Sequence, residues 1–579
     1  MNSQFSSRKS EKDRLKSQQN LHRNNDLYTR ASLSNTMKTI ALSLLAAASA
    51  APLQDAVPTL PGFGTPPAPQ YSGFLDATKA DPEAGVHLHY WFAETTSTDP
   101  NAPVILWLNG GPGSSSVLGM LQENGPLIIN ATGGLMENPH GWTQKANLVI
   151  LESPSGVGYS YCANSLKSPA EGCINTDNST ARAARVAMQD FFGTKFPELA
   201  KRDFFITGES YAGVYVPTLA REILDNAPEI NLQGVAVGDP CTDNKAQADS
   251  MDMIWYGHKN GFVPDELYDT LWNTCGARHT PSIAKGKWGA AAEEETATSS
   301  ASSSSSRRLT FKNKSPSPEC ILAERKYLAS TSRGFSQGWN NAWMNDLTLY
   351  GPAAVVPFNM PGSLNYKTAQ WMMRDDVMKA LHVDTSPVNK KSWPGPGPKW
   401  SYTSQWNACN SAAPEGTPSM IDFYRNIAPR LTTTIVFNGD TDPCVSYEGT
   451  RQAIKEVGFN ETVGGAYRPW FFNATATTEA ILAEKPLLYG PDLSLVEAGA
   501  QFAGHVVTYE HNLHFVTVHG SGHMVPQFRP RVAFKLMSNL INNEEFAKPL
   551  LADGKLESMT DDAFDAWLDT YTVAAKAAV

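Results

Sequence analysis

The ten residues from Phe204 to Gly213 constrain the fold of this 579-residue chain more than any other stretch. They begin with aromatic and β-branched residues, which predict a buried strand that ends at Gly208. Ser210 follows between the small residues Gly208 and Ala212, and residues 214–224 have the pattern of a helix. A chain that turns directly from a strand into a helix has no room for bulk two residues before or after the turn. The stretch therefore predicts a strand–turn–helix unit that raises the Ser210 hydroxyl above the end of a sheet.

Further runs of strand length alternate with helical patterns along the sequence. Continuous apolar runs occur at 104–108, 147–151, 232–238, 434–439 and 515–518. Their alternation with helices predicts an α/β fold with a mostly parallel, doubly wound central sheet and helices on both faces. Residues 71–75 and 86–93 alternate in polarity and predict an antiparallel pair of strands. A Gly-x-Ser-x-Ala pattern often arises by chance. Its position within an alternation of strands and helices supports the interpretation as a strand–turn–helix unit.

Two polar residues after the later strands complete a catalytic set with Ser210. Asp442 follows the strand at 434–439, and His523 follows the strand at 515–518. The order serine, aspartate, histidine is that of the α/β-hydrolases, and the carboxyl ends of parallel strands meet at one edge of the sheet. In this arrangement Ser210 attacks a carbonyl group, and His523 accepts its proton and passes it to the leaving group. Asp442 fixes the tautomer of the imidazole.

Each of the two later residues has a competitor nearby. Asp440 also follows the strand at 434–439, but it belongs to the turn at the strand end, whereas Asp442 reaches further into the loop. His519 directly abuts the last strand, whereas His523 lies in a glycine-flanked loop that suits a base that must project. We therefore prefer Asp442 and His523, and we judge them by chemical role rather than by sequence position.

Four motifs together carry a family resemblance. They are Trp107–Ser115 (WLNGGPGSS), Gly208–Gly213 (GESYAG), Gly439–Asp442 (GDTD) and Gly522–Pro526 (GHMVP). In this order the chain resembles the serine carboxypeptidases, from about Tyr71 to Leu540. The resemblance implies an α/β-hydrolase fold with an inserted lid. It also implies release of single residues from peptide and protein C-termini through an acyl-enzyme, best at acidic pH.

The resemblance also implies roles for residues around Ser210. The backbone N–H groups of Gly111 and Tyr211 would stabilise an oxyanion, and glycine at 111 lets the backbone come close. Trp107 would support the site for the terminal carboxylate of the substrate, and Met524 would line the pocket for the leaving residue. The carboxylate site itself would consist of Asn109, Gly110, Glu123 and Glu209.

Glu123 and Glu209 give a physical reason for an acid preference. Two carboxyl groups and a substrate carboxylate cannot all be ionised when they are packed together, so the pair should retain protons above the ordinary pKa of Glu. A protonated carboxyl donates a hydrogen bond to the substrate, and an ionised one repels it. The alternative is that Glu123 only lies on a helix surface.

The seven cysteines are Cys162, Cys173, Cys241, Cys275, Cys320, Cys409 and Cys444. In an oxidising compartment six of them can form three disulfides and leave one thiol, with a connectivity that the sequence does not determine. Ser114 stands where some members of the resembling family have a cysteine, so Cys409 is expected to pair elsewhere. Cys444 is a candidate for the odd thiol near the site or for an inert core cysteine.

The N-terminal region predicts entry into the secretory pathway. Residues 37–50 have a charged start, a short apolar run and an Ala-x-Ala end, as a signal peptide does, although a disordered tail with an apolar patch is the alternative. Secretion or delivery to a vacuole follows. N-glycosylation sequons support this prediction and lie at Asn130, Asn178, Asn313, Asn460 and Asn473.

The predicted layout has a hydrolase core interrupted by a lid. Residues 1–36 are expected to be a disordered extension, 51–70 a pro-segment or extended arm, 71–239 and 362–545 the two parts of the core, and 546–579 a tail. The lid spans 240–361 and contains the low-complexity loop 284–308, which ends at Arg307-Arg308, a hypothetical maturation cleavage site. The C-terminal residues lack the apolar tail of a lipid-anchored protein, so no membrane anchor is expected.

Composition narrows the possible partners. The net charge of −10 argues against nucleic acid, and neither the residue pattern nor the resemblance implies a cofactor or metal ion. The oligomeric state is left open.

Three alternatives to a peptidase remain: an acyltransferase with the same acyl-enzyme, a broad esterase or lipase, and an inactive stabilising partner. The predicted carboxylate site argues against an esterase or lipase, because a neutral ester has no carboxylate to bind. The complete catalytic set argues against an inactive partner.

Overall fold

The structure is a computed structural model, and it describes most of the residues that follow position 51. The described residues are 52–130, 132–167, 171–279, 309–313, 315–331, 364–387, 393, 399–406, 409, 417–474 and 499–577. The predicted extension 1–36, the signal peptide 37–50, the loop 284–308 and the Arg307-Arg308 site therefore lie outside the described residues.

Fourteen strands are found in the described part of the sequence. They are β1 (Gln70–Asp76), β2 (His87–Ala93), β3 (Val104–Leu108), β4 (Leu127–Ile129), β5 (Leu135–Glu137), β6 (Asn147–Leu151), β7 (Ile174–Thr176), β8 (Phe204–Glu209), β9 (Leu232–Gly238), β10 (Ser401–Thr403), β11 (Thr433–Gly439), β12 (Arg468–Ala474), β13 (Gly499–Tyr509) and β14 (Leu513–Val518).

Ten of these strands form the central sheet, in the order β1-β2-β6-β3-β8-β9-β11-β14-β13-β12. The six strands from β6 to β14 in this order pair in parallel. The outer strands pair antiparallel, including the predicted β1–β2 pair, in which Tyr71 lies opposite Phe92. The predicted sheet is confirmed at its centre. The antiparallel strands β12 and β13, which the sequence reading did not identify, extend one end.

The α-helices lie on the two faces of this sheet and in the predicted lid. They are α1 (Val117–Gln122), α2 (Ala163–Lys167), α3 (Asp177–Asp190), α4 (Ala212–Asn226), α5 (Asn244–Gln247), α6 (Met253–Lys259), α7 (Asp265–Asp269), α8 (Pro318–Thr331), α9 (Leu364–Met372), α10 (Asp375–Ala380), α11 (Ile421–Ile427), α12 (Tyr447–Lys455), α13 (Val525–Phe528), α14 (Pro530–Asn542), α15 (Asp553–Glu557) and α16 (Asp561–Ala577).

Strand β3 shows how the two faces of the sheet are covered. Val104, Leu106 and Leu108 pack into a core layer that contains residues of α3, α4 and α11. Ile105 and Trp107 point the opposite way, into a layer that contains residues of α1, α9 and α14. Successive side chains of a strand alternate between faces, so a strand that is apolar throughout requires helices on both. The predicted helices on both faces are confirmed.

The N-terminal segment from residue 52 packs against the core. The Asp55 carboxylate accepts hydrogen bonds from Tyr90 Oη at 2.8 Å and from Lys195 Nζ at 2.5 Å. Further along, the carbonyl of Pro61 accepts a bond from Trp371 Nε1 at 3.3 Å. The described part of the expected pro-segment or arm is thus held at several points.

The described part of the predicted lid has a small core of its own. Its buried residues come from α6, α8 and the turns between them, and the disulfide Cys275–Cys320 crosses this core. Tyr256 in α6 donates a hydrogen bond to the carbonyl of Thr441 at 2.8 Å, in the loop after β11. The lid is therefore in direct contact with the loop that contains Asp442.

All seven cysteines lie among the described residues. The disulfides are Cys162–Cys173, Cys241–Cys409 and Cys275–Cys320, and Cys444 is a free, buried cysteine. Three disulfides and one odd thiol were expected, and Cys409 pairs with Cys241.

The C-terminal residues form helices. Tyr571 and Ala575 of α16 pack against Phe471 of β12, the last strand of the sheet. Hence residues expected as a tail cover one sheet edge. Among the described residues, no helix combines the length and the apolar composition that a membrane span requires.

Helix α3 begins with a reciprocal pair of hydrogen bonds. Its N-cap is Thr176, whose side chain accepts from the Ser179 N–H at 3.1 Å. Ser179 Oγ in turn accepts from the Thr176 N–H at 2.8 Å. This reciprocal pair is a capping box, in which the downstream residue supports the cap instead of acting as the cap.

We expect Thr176→Ala to lower the free energy of unfolding by about 1 kcal/mol, because an N-cap side chain satisfies a backbone N–H that has no partner in the helix. Thr176→Ser keeps the hydroxyl and should retain most of that stability. Urea unfolding of both variants measures the difference. An equal loss in the two variants would show that the hydroxyl has no capping role.

Candidate active site

Ser210 lies in the tight turn between β8 and α4. Its φ angle of 65° is in the left-handed region, which costs a non-glycine residue about 1–3 kcal/mol. The turn leaves no space for larger neighbours: a Cβ at Gly208 would lie 2.4 Å from the Leu108 oxygen and 2.7 Å from Ala212 Cβ. The steric reason given for Gly208 and Ala212 is therefore confirmed.

Backbone hydrogen bonds to the neighbouring strand hold the turn in this conformation. The Ser210 N–H donates to the Gly238 carbonyl at 2.8 Å, at the end of β9. The Ser210 carbonyl accepts from the N–H groups of Gly213 at 2.8 Å and Cys241 at 3.0 Å. Because the strained residue is fixed on both sides, the position of its side chain is defined by the sheet.

The loop after β3 lies directly against this turn. A Cβ at Gly110 would lie 2.3 Å from the Tyr211 nitrogen and 2.8 Å from Ser210 Cβ, so only glycine permits the approach. Gly111 follows with φ of 112°, again a conformation that favours glycine. The structure thus brings the two predicted oxyanion residues, Gly111 and Tyr211, onto facing backbone segments beside Ser210.

A buried carboxylate anchors the same loop. Glu152, after β6, accepts hydrogen bonds from Ser115 Oγ, from Trp393 Nε1 at 3.0 Å and from the Tyr159 N–H at 2.6 Å. It also contacts His89 Nδ1 at 2.8 Å, and both side chains are fully buried. Sequence reasoning missed this anchor, because Glu152 follows its strand without any recognisable spacing to its partners.

The structure contains two Asp–His pairs at the ends of β11 and β14. His523 Nδ1 lies 2.7 Å from Asp442 Oδ2, and the two side chains are 7% and 0% exposed. His519 Nδ1 lies 2.7 Å from Asp440 Oδ2, but these side chains are 58% and 23% exposed. The competing residues of the sequence reading are therefore paired with each other.

The buried Asp442–His523 pair is the better candidate for the base and the carboxylate that orients it. Asp442 also accepts backbone hydrogen bonds from Cys444 at 2.8 Å and Val445 at 3.1 Å, which fix the carboxylate. A Cβ at Gly439 would lie 2.3 Å from the Gly522 oxygen, so glycine lets the loop that contains His523 approach β11. A carboxylate held in this way can set the orientation and tautomer of the imidazole.

Three predicted carboxylate-binding residues form one buried cluster. Asn109 Nδ2 donates to Glu209 Oε1 at 2.8 Å and to Glu123 Oε1 at 3.2 Å. Asn109 Oδ1 accepts from Trp107 Nε1 at 2.9 Å and from the Gly119 N–H at 3.1 Å. Trp107 thus fixes the amide of Asn109, and Glu123 does not lie on a helix surface.

The two carboxyl groups of this cluster have raised pKa values. Burial raises the pKa of Glu123 to about 7, against the hydrogen bond from Asn109. Burial and the neighbouring carboxyl of Glu123 raise the pKa of Glu209 well above its ordinary value. The second oxygen of each group, Oε2, is buried and has no hydrogen-bond partner outside the pair among the described residues. Both groups therefore bind protons more readily than an ordinary Glu, and a hydrogen bond joins the two carboxyls.

The remaining predicted residues are Met524 and the sequon asparagines. Met524 follows His523 directly and is 9% exposed, at the start of α13. The sequon residues Asn178, Asn313, Asn460 and Asn473 are exposed, whereas Asn130 is half-buried and its Oδ1 accepts from the Thr132 N–H at 2.9 Å.

Sequence reasoning also missed two acidic residues at the site. Asp177, the first residue of α3, accepts hydrogen bonds from Tyr211 Oη at 2.9 Å and Tyr402 Oη at 2.6 Å, and so fixes the Tyr211 ring. Asp239 follows β9 and lies beside Asp442 and His523. Its place at the end of a parallel strand was the signal that could have identified Asp239.

Comparisons with known proteins identify the family of this chain. The family model for serine carboxypeptidase matches residues 61–543. The lysosomal protective protein of Mus musculus is 28% identical over 532 residues, which cover 89% of this chain and 99% of that protein. The serine carboxypeptidase-like 26 protein of Arabidopsis thaliana is 30% identical over 489 residues, which cover 82% and 89%.

A solved structure shows the same fold. The match is to Kex1(delta)p, a prohormone-processing carboxypeptidase from Saccharomyces cerevisiae, with a TM-score of 0.56 and 18% identity. It covers 85% of this chain and 96% of that one. The predicted α/β-hydrolase fold is confirmed. Because the family model spans well over half of the sequence, this chain belongs to the serine carboxypeptidase family.

Proposed function

We propose that this protein is a serine-type carboxypeptidase that releases C-terminal residues from peptides and proteins through an acyl-enzyme, best at acidic pH. The observation that supports this most directly is the buried pair of protonated carboxyls, Glu123 and Glu209, held by Asn109 in the loop beside Ser210. A hydrolase of neutral esters has no use for such a pair. An enzyme that binds the free terminal carboxylate of its substrate does have a use for it.

The proposed reaction begins with attack of Ser210 Oγ on the carbonyl carbon of the last peptide bond. His523 Nε2 accepts the hydroxyl proton while Asp442 holds Nδ1–H, and the Gly111 and Tyr211 N–H groups stabilise the oxyanion. When the C–N bond breaks, His523 gives its proton to the departing amino group. Water then attacks the acyl-enzyme, with His523 again as the base, and restores the Ser210 hydroxyl.

The terminal carboxylate of the substrate occupies the space in front of the acid pair. In its protonated form the Glu123–Glu209 pair donates to it, and the Gly110 N–H lies in the same loop. Hydrogen bonds to a carboxylate are about twice as strong as those between neutral groups. Met524 lines the side of the pocket for the leaving residue.

A compartment of the secretory pathway, the vacuole or the exterior, fits this enzyme. Three disulfides connect its described residues, and such bonds persist in oxidising compartments. Four of the five sequons lie on exposed residues where glycans can be attached.

The test is the release of C-terminal residues from a peptide library at about pH 5, where the raised pKa values keep the acid pair protonated. We expect single residues to be released from free C-termini and more slowly from amidated peptides. No release is expected with Ser210→Ala. Cleavage of simple esters without release from peptides would instead support an esterase. Acyl transfer to added alcohols without hydrolysis would support an acyltransferase.

A further inference from the structure

We propose that Asp239 is a positioning residue that remains a neutral carboxylic acid and donates a hydrogen bond from Oδ2 to the Asp442 carboxylate. This inference rests on the proposed function, because it concerns the aspartate that orients the catalytic base. Asp239 touches neither the substrate nor Ser210 in this role and acts through Asp442 alone.

The backbone and one carboxyl oxygen fix the orientation of Asp239. It is fully buried, its φ is 44°, and its N–H donates to the Phe437 carbonyl at 2.8 Å. Oδ1 accepts from the Gly439 N–H at 3.0 Å and from Asn438 Nδ2 at 3.2 Å. With Oδ1 held by two donors on β11, the direction of Oδ2 is determined.

Asp239 lies in contact range of the Asp–His pair. One oxygen of Asp239, one of Asp442 and one ring nitrogen of His523 all lie within 4.8 Å of one another. Yet Asp239 Oδ2 is buried and accepts no hydrogen bond from the described residues. An ionised oxygen there would be unpartnered and would face a second carboxylate, whereas a protonated one can donate to Asp442.

The groups around Asp239 favour the neutral form. The titratable groups that face it are Asp442 and Cys444 from the loop after β11, Glu209 from β8 and His523 from the loop after β14. Burial and the Asp442 carboxylate raise the pKa of Asp239 well above its ordinary value. The Cys444 thiol is also neutral, because burial and the Asp442 carboxylate raise its pKa.

A neutral donor has a functional consequence for the base. The hydrogen bond from Asp239 draws negative charge from Asp442, so that Asp442 holds the imidazolium form of His523 less strongly. His523 then accepts protons from Ser210 at a lower pH than it could beside an unassisted carboxylate. Asp239 thereby extends activity toward acid.

The test compares Asp239→Asn with Asp239→Ala by the rate at which a fluorophosphonate labels Ser210 as a function of pH. Asparagine mimics the neutral acid, because its oxygen can accept from Gly439 and its amide can donate to Asp442. We expect the acid midpoint of Asp239→Asn to stay within about 0.3 pH units of the wild type, and that of Asp239→Ala to rise by about one unit. A fall in the midpoint of Asp239→Asn would mean that a negative charge had been removed, and would overturn the proposal.

Thermal unfolding provides a separate test of whether the Asp239 carboxyl holds a proton in the folded state. A carboxyl with a raised pKa in the folded state loses stability as pH rises from the ordinary Asp value toward the raised one. Asp239→Asn lacks this loss, so its Tm relative to the wild type should be several degrees higher at about pH 8 than at about pH 4.5. An equal difference at both values would contradict the neutral acid.

Two controls distinguish the neutral acid from a bound cation and from an inactive protein. A change in the wild-type labelling profile on treatment with EDTA, absent in Asp239→Asn, would assign the cluster to a bound cation and overturn the proposal. If no variant reacts with the fluorophosphonate or cleaves peptides, the proposed peptidase function fails. The unfolding comparison would then still decide whether Asp239 holds a proton.

Discussion

Asp442→Asn is expected to lower kcat about 10⁴-fold, whereas Asp440→Asn should leave it within about threefold. Both residues accept from a histidine Nδ1 at 2.7 Å, so the distance does not separate them. Burial does, because the Asp442–His523 pair is shielded from water and the Asp440–His519 pair is largely exposed. An exposed ion pair contributes about 0–1 kcal/mol, while a buried aspartate determines which imidazole nitrogen carries the proton.

The measurement is the kcat for a blocked dipeptide at several pH values for both asparagine variants. His523→Ala and His519→Ala form a second matched pair, with the same expected contrast. Comparable losses in Asp440→Asn and Asp442→Asn would contradict the assignment of the base. A large loss with Asp440→Asn alone would reverse it.

The central sheet and the main site were predictable because their signals are local. A strand that is covered on both faces must be apolar throughout, and a turn such as that at Ser210 requires small residues at fixed spacings. The loops after β3, β8, β11 and β14 then meet, because parallel strands place their carboxyl ends at one edge.

What the sequence reading missed depends on contacts between distant residues. Among the described residues, strand β12 pairs with β13 alone, at the end of the sheet, so its place depends on contact with a later strand. Three partners of Glu152, namely Ser115, Trp393 and His89, come from separate segments. The sequence places Asp239 at the end of a strand, but its contact with Asp442 depends on the pairing of β9 with β11.

The acids of the site form a connected group with few compensating charges. Glu123, Glu209, Asp239 and Asp442 are all nearly or fully buried, and His523, the proposed base, lies near them and is also buried. Four buried negative charges around one imidazole would be strongly unfavourable. In the proposed distribution, protons on Glu123, Glu209 and Asp239 leave Asp442 as the carboxylate that orients the base. Acid conditions are those in which this distribution is stable.

The KM for peptides with a free C-terminus is expected to rise about tenfold per pH unit once pH exceeds about 7, the value to which burial raises the pKa of Glu123. The sign follows from the direction of the shift. Below that value the carboxyl is neutral and donates to the substrate carboxylate, and above it an anion faces an anion. Since the charge acts on binding of the free terminus, the effect should lie in KM more than in kcat.

Glutamine at both positions provides the decisive comparison. Glu123→Gln with Glu209→Gln keeps hydrogen-bond donors but has no charge to lose, so its KM should vary by less than about threefold between pH 5 and pH 8. Peptide amides, which have no terminal charge, should show a wild-type KM that hardly changes with pH. A variant that follows the wild-type rise would place the titrating group elsewhere, and an equal rise for amides would remove the acid pair from recognition of the free terminus.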